Sequence, residues 1–154
     1  MSSQTMSSQT NGKLSQILLV EDNPADVRLM AEALKENGVD CKMSVVKDGV
    51  EAMAFLHQKD EYANAPRPDL ILLDLNLPRK NGREVLVTLK ENTNLRRIPV
   101  VVLTISKAEE DILKAYDHHV NCYVTKPIDL DQFLSVAKFI RDFWLTVVTL
   151  PPGS

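Results

Sequence analysis

Residues 17–20, Ile-Leu-Leu-Val, form a short apolar run with no polar alternation. A strand with one wet face alternates apolar and polar residues, so an unbroken run fits a strand covered on both faces. Further strands are predicted over residues 41–47, 70–74, 99–104 and 122–125, and between them the apolar spacing becomes that of a helix. Pro24 opens the first helix with Asp22 or Asn23 as its cap; Val27, Met30, Ala31 and Leu34 share one face before Asn37-Gly38 stops it. Asp48 and Glu51 have capping-box spacing for a second helix whose Ala52, Phe55 and Leu56 face inward. A long polar loop over residues 57–68 follows. Asn81-Gly82 leads into a third helix with Val85, Leu86 and Leu89 inside. Ser106 and Glu109 form another capping box, before a helix carrying Ile112, Leu113 and Tyr116, and a last helix is predicted over residues 129–144. Five strands alternating with five helices give an α/β, doubly wound fold, a parallel sheet between helical layers. Ligands of that class sit at the carboxyl ends of the strands.

At 154 residues the chain is long enough for one domain with a proper core. Residues 1–14, Ser-, Gln- and Thr-rich with MSSQT repeated, bury too little apolar surface to order themselves and are expected to be a flexible tail. Residues 15–144 are expected to form the folded domain, and 145–154 a C-terminal extension, with no segment left for an output domain. The start of the chain lacks the basic and apolar parts of a secretory signal, and no apolar run reaches membrane-spanning length. A cytoplasmic protein without a membrane partner is therefore expected. A net charge of -3 argues against nucleic acid as the main partner. Cys41 and Cys122 form no CxxC pair and read as small apolar strand residues. His118 and His119, being adjacent, cannot share a helix face and read as surface residues, while His57 ends a helix.

The chemistry lies at the predicted strand ends. Glu21 and Asp22 follow the first strand, Asp74 ends the third, Thr104 ends the fourth and Lys126 follows the fifth. Three carboxylates in one cleft repel one another unless a cation sits among them. A few oxygen ligands suit Mg²⁺, which keeps some waters and accepts phosphate oxygens. A lysine and a hydroxyl at the same edge complete the electrostatic equipment of phosphoryl transfer. No GxxxxGK[ST] loop is present to hold a nucleotide, so the phosphoryl group is expected from a protein or a small phosphodonor, with one carboxylate as acceptor.

ILLVEDNPADV, LILLDLNLPRKNG, PVVVLTIS and CYVTKPID, in that order, resemble the receiver domains of bacterial response regulators over about residues 15–144. The resemblance implies a flavodoxin-like sheet of order 2-1-3-4-5. It implies Asp74 as phosphoacceptor and Mg²⁺ held by Glu21, Asp22, Asp74 and the backbone carbonyl of Asn76. Thr104 would bind a phosphoryl oxygen, Lys126 would pair with the phosphoryl group, and Lys126-Pro127 would be a cis peptide. Thr104 and Tyr123 stand where the family keeps its switch residues. Cys41 and Cys122 would then lie on opposite sheet edges, too far apart for a disulfide. Two contacts to the phosphoryl group, each worth about 1.5–3 kcal/mol, approach the roughly 5.5 kcal/mol that inverts a two-state equilibrium from 1:99 to 99:1. Ile105 stands where many receivers carry a small residue, and narrows access to Asp74 in this reading. Rival readings are a binding-only pseudo-receiver and a small Mg²⁺-dependent aspartyl phosphohydrolase. The second would need an acid/base carboxylate where Asn76 stands.

The last helix carries a core stripe, Leu130, Phe133, Leu134, Ala137, Ile140 and Trp144, and a second apolar stripe, Val136, Phe139, Phe143 and Val147. Either the apolar residues 145–150 fold back over it or it meets a partner. A homodimer is the preferred covering. This long helix, EYANAPRPDLILLDLNLPRKNGREVL and the FWLTVVTLP ending resemble single-domain receivers that serve phytochrome-type sensor histidine kinases. That resemblance implies such a kinase as phosphodonor.

Overall fold

A computed structural model describes the backbone of residues 15–76, 82–104, 108, 110, 111 and 122–149, with side chains as far as Phe143. Five parallel strands, β1 (Ser15–Val20), β2 (Cys41–Val46), β3 (Leu70–Asp74), β4 (Val100–Thr104) and β5 (Cys122–Thr125), form one sheet of order β2-β1-β3-β4-β5. This is the flavodoxin-like order that the resemblance implied, and it puts Cys41 and Cys122 on opposite edges. The described helices are α1 (Pro24–Glu36), α2 (Gly49–Leu56), α3 (Gly82–Glu91) and α4 (Leu130–Thr149). Of the helix expected to start near Ser106, only positions 108, 110 and 111 are described, and they are helical. Residues 1–14, Asn81, Ile105, Ser106, Glu109, Ile112, Leu113, Tyr116, His118, His119 and the side chains of Trp144 and Val147 lie outside the described residues.

Burial follows position in the sheet. The inner strands β3 and β4 are buried throughout, while the edge strands β2 and β5 are only partly covered. Alternate side chains leave the sheet on opposite faces. Leu18, Val20, Ile71, Leu73, Val100 and Val102 meet the inner faces of α2 and α3, whereas Ile17, Leu19, Leu70, Leu72, Val101 and Leu103 meet α1 and α4. An unbroken apolar strand therefore feeds two cores at once. Each fully buried leucine contributes about 1.5–3 kcal/mol relative to exposure.

Local signals fix the helix ends. Asn23 caps α1, its side-chain oxygen accepting from the N–H groups of Ala25 (2.9 Å) and Asp26 (3.3 Å). At the other end Gly38, with φ +71°, donates to Lys35, and Val39 donates to Leu34, which satisfies carbonyls the helix leaves open. Asp48 accepts from the Glu51 N–H at 2.8 Å. The carboxylate of Glu51 accepts from Tyr62 Oη at 3.0 Å. That bond changes the reading of residues 57–68. The segment contains a 3₁₀ turn, Asp60–Tyr62, and the Tyr62 ring stands 5.4 Å from that of Phe55. Burial and then the bond to Glu51 push the Tyr62 phenol up to about 12.

Helix α4 departs from expectation in length and in phase. It continues past residue 144 to Thr149, since no Gly or Pro intervenes before Pro151. Residues 145–149 therefore extend the helix instead of folding back over it. Its buried face is Phe133, Val136, Ala137 and Ile140, while Leu130 is exposed. Val136 thus belongs to the core and not to the second stripe. Positions 133, 136, 137 and 140 share one helical face, and Leu130 stands at the first, open turn. Of the outer stripe Phe139 is exposed, while Phe143 is half-buried and packs partly against the core; their rings stack with centroids 6.1 Å apart.

Gly82 starts α3 against the end of β3. A Cβ there would stand 2.6 Å from Leu75 Cα and 2.9 Å from the Asp74 carbonyl oxygen. Gly→Ala inside a helix ordinarily gains up to about 1 kcal/mol. Here the sign reverses: Gly82→Ala is expected to lower stability by about 1–3 kcal/mol through overpacking. The midpoint of urea unfolding checks it, and an unchanged or raised midpoint would show that the loop gives way freely.

Candidate functional site

The strand register levels the site. Val20 pairs with Leu73, Asp74 with Leu103, and Thr104 with Thr125. Because the strands end together, the next residues of each emerge at one edge of the sheet. Glu21 is held there by its N–H on the Val46 carbonyl (2.9 Å), and Lys126 by its N–H on the Thr104 carbonyl (2.6 Å).

The side chains converge as the sequence predicts. Carboxylate oxygens of Glu21, Asp22 and Asp74 all lie within 4.8 Å of one another. Glu21 and Asp74 are buried and Asp22 is exposed, so the cluster opens on one side. Lys126 Nζ stands 2.6 Å from Asp74 Oδ2, 3.4 Å from Glu21 Oε1 and 3.7 Å from Asp26 Oδ2. The other oxygen of Asp74, Oδ1, accepts from the Asn76 N–H at 2.9 Å. Both oxygens of this carboxylate are therefore engaged, one by backbone and one by a long side chain. Glu21 Oε2 accepts from the Asn23 N–H at 3.1 Å, so the cap residue of α1 also braces the cluster.

Thr104 ends β4, the strand next to that of Asp74, at 1% exposure, and its Oγ1 has no hydrogen-bond partner among the described residues. An unsatisfied buried hydroxyl costs about 1–3 kcal/mol. Tyr123 is half-buried on β5, opposite Val102 and against the core that α2 and α3 cover. The expected cis bond between Lys126 and Pro127 is corrected: no peptide bond among the described residues is cis. The trans form of an X-Pro bond is the lower in energy by about 0.5–1 kcal/mol, and from it Lys126 already reaches Asp74 and Glu21. Asp26 was missed, because an acid in the first turn of a helix reads as a complement to the helix dipole.

Electrostatics records the crowding. Burial, then the charge of Asp74, raises Glu21 to about 7, against the lowering effect of the Asn23 N–H and Lys126. Burial alone would pull Lys126 down, but the hydrogen bond and charge of Asp74, then Glu21, more than offset it and hold the ammonium above its ordinary range. Three hard oxygen donors under mutual repulsion, open on one side, fit a small divalent cation. The unpaired hydroxyl and the ammonium fit the oxygens of a phosphoryl group.

Comparison with known proteins agrees with this geometry. The family model described as the response regulator receiver domain matches residues 17–138. Response regulator Rcp1 of Synechocystis sp. is 55% identical over 135 residues, covering 88% of this chain and 92% of that protein. The phosphorylated cyanobacterial phytochrome response regulator RcpA superposes with a TM-score of 0.80 at 56% identity, covering 90% of this chain and 99% of that one. The Mn²⁺-bound form of Rcp1 gives 0.78 at 54% identity, covering 89% and 99%.

The raised value of Glu21 has a sign that can be tested. The folded state binds this proton more tightly than the unfolded state. Its stabilising contribution is complete below about pH 4.5 and is lost as pH rises through about 7. In EDTA, the thermal midpoint of the wild type relative to that of Glu21→Gln is expected to fall between pH 5.5 and pH 7.5. A difference that stays level, or rises, would mean that Glu21 is ionised across that range.

Proposed function

Because this chain belongs to the response regulator receiver family, we propose that it accepts a phosphoryl group on Asp74 from the phosphohistidine of a sensor histidine kinase. An Asp74 carboxylate oxygen attacks phosphorus; the O–P bond forms as the P–N bond to the donor histidine breaks, and the departing imidazole nitrogen takes a proton from water. Lys126 pairs with the phosphoryl oxygens from one side, and Thr104 donates its unpaired hydroxyl. Charge neutralisation of the acids and of the incoming oxygens is the chemistry that Mg²⁺ would supply when held by Glu21, Asp22, Asp74 and the Asn76 carbonyl. One relative was solved phosphorylated and another with Mn²⁺.

The observation that carries this reading is Lys126 Nζ, 2.6 Å from a fully buried aspartate, at the sheet edge where the neighbouring strand ends in Thr104, buried and without a hydrogen-bond partner among the described residues. A phosphoryl group would give Thr104 the partner it lacks. Movement of Thr104 toward it opens space behind β4, into which the half-buried ring of Tyr123 can turn. The protein then acts as a cytoplasmic phosphoryl carrier and switch. Its similarity to phytochrome response regulators supports a phytochrome-type kinase as the donor. Asn76 supplies its backbone N–H and no carboxylate, which disfavours turnover as a phosphohydrolase.

Incubated with Mg²⁺ and acetyl phosphate, the wild type is expected to gain one phosphoryl mass and Asp74→Asn none. Equal labelling of both would move the acceptor elsewhere. Labelling of neither, with both folded, would favour a binding-only role.

The exposed Phe139, stacked on the half-buried Phe143 on a helix that runs to Thr149, supports the further proposal of a homodimer through the outer side of α4. Phe143→Asp is expected to yield monomers in sedimentation. A variant that sediments as the wild type does would exclude this surface.

A further inference from the structure

From the geometry around Lys126 we infer that Asp26 is a positioning residue, the seat that holds the Lys126 ammonium when Asp74 is given up to a cation, until the ammonium returns to the oxygens of an incoming phosphoryl group. The inference rests on Asp74 being the phosphoacceptor. Lys126 Nζ lies among three carboxylates, at 2.6 Å from Asp74, 3.4 Å from Glu21 and 3.7 Å from Asp26. Only the first two belong to the cluster that can hold a metal. Asp74 cannot take a cation and also attack phosphorus while both of its oxygens are engaged. One oxygen is bound by the Asn76 N–H, which the backbone fixes. The other is bound by an ammonium on a flexible four-carbon stem, so the ammonium is the group that yields.

A cation on Glu21 and Asp74 both repels the ammonium and uses up the charge of those two acids. Asp26 keeps its own. It projects from the first turn of α1, and its carboxylate has about the same exposure as Lys126, 23% against 22%. Outside the buried cluster, an open concavity of about 330 Å³ is lined by Asp26, Lys126, Pro127 and Ile128. The ammonium therefore has room to move outward, a carboxylate to meet it, and a short return path to the phosphoryl oxygens.

The test uses Asp26→Asn and Asp26→Glu in the full chain, with urea midpoints confirming that both fold. In Mg²⁺-loaded protein, the NMR order parameter of the Lys126 ammonium is expected to be high in the wild type and in Asp26→Glu, and low in Asp26→Asn. Equal ordering in all three would overturn the inference. At saturating Mg²⁺, acetyl phosphate should label Asp26→Asn about two- to fivefold more slowly than the wild type, the scale of a partly exposed ion pair. Asp26→Glu should recover most of that rate. In a Lys126→Gln background the Asn substitution should have no further effect. The same slowing there would show that Asp26 acts on the cation or the donor and not through Lys126, and would also overturn the inference. A wild type that takes no label would instead remove Asp74 as acceptor, and the ordering measurement would still decide on Asp26.

Discussion

The structure depends on the ammonium of Lys126 standing inside a cluster of acids. Glu21 and Asp74 are buried within 4.8 Å of one another, with Asp22 at the same distance in solvent. They cannot spread apart, because the register of β1 and β3 fixes their backbones. The repulsion is met partly by holding Glu21 near neutrality and partly by Lys126, which arrives from β5 two strand positions away. Gly82, with no Cβ, lets α3 start against the carbonyl of Asp74. Asn23 caps α1 and at the same time donates its N–H to Glu21. Small local choices along the chain thus serve one electrostatic arrangement.

The parts legible in sequence were those with a single strong cause. The unbroken apolar strands required cover on two faces, and the structure supplies it as two cores. The acids, hydroxyl and lysine at strand ends followed once the strands were placed, since parallel strands that end level bring their next residues together. Capping by Asn23 and Asp48 was readable because each has one geometric job.

What escaped notice had competing causes. Helix α4 is apolar around much of its circumference, so periodicity could not decide whether Val136 or Leu130 faces the sheet. Packing against β1, β3 and β4 decided for Val136. Glu51 fitted a capping box, but its carboxylate takes the hydroxyl of Tyr62, and a segment of polar composition becomes a packed turn. Asp26 looked like an ordinary first-turn acid because nothing in its local sequence points to a lysine that is adjacent only after folding. The isomer of the Lys126-Pro127 bond came from resemblance alone, and the structure has the other one.

The order β2-β1-β3-β4-β5 bears on when the molecule becomes competent. Glu21, Asp74, Thr104 and Lys126 stand at the ends of four separate strands, and the lysine directly follows the edge strand that is last in the chain. Such long-range pairings form slowly, after the entropy of closing large loops has been overcome. A nascent or partly unfolded chain can hold β1 and β3 together and still lack the positive charge that the acids require. Completion of the fold is thereby what brings the ammonium to the acids: a molecule missing its final strand would hold the acid cluster without its counter-charge.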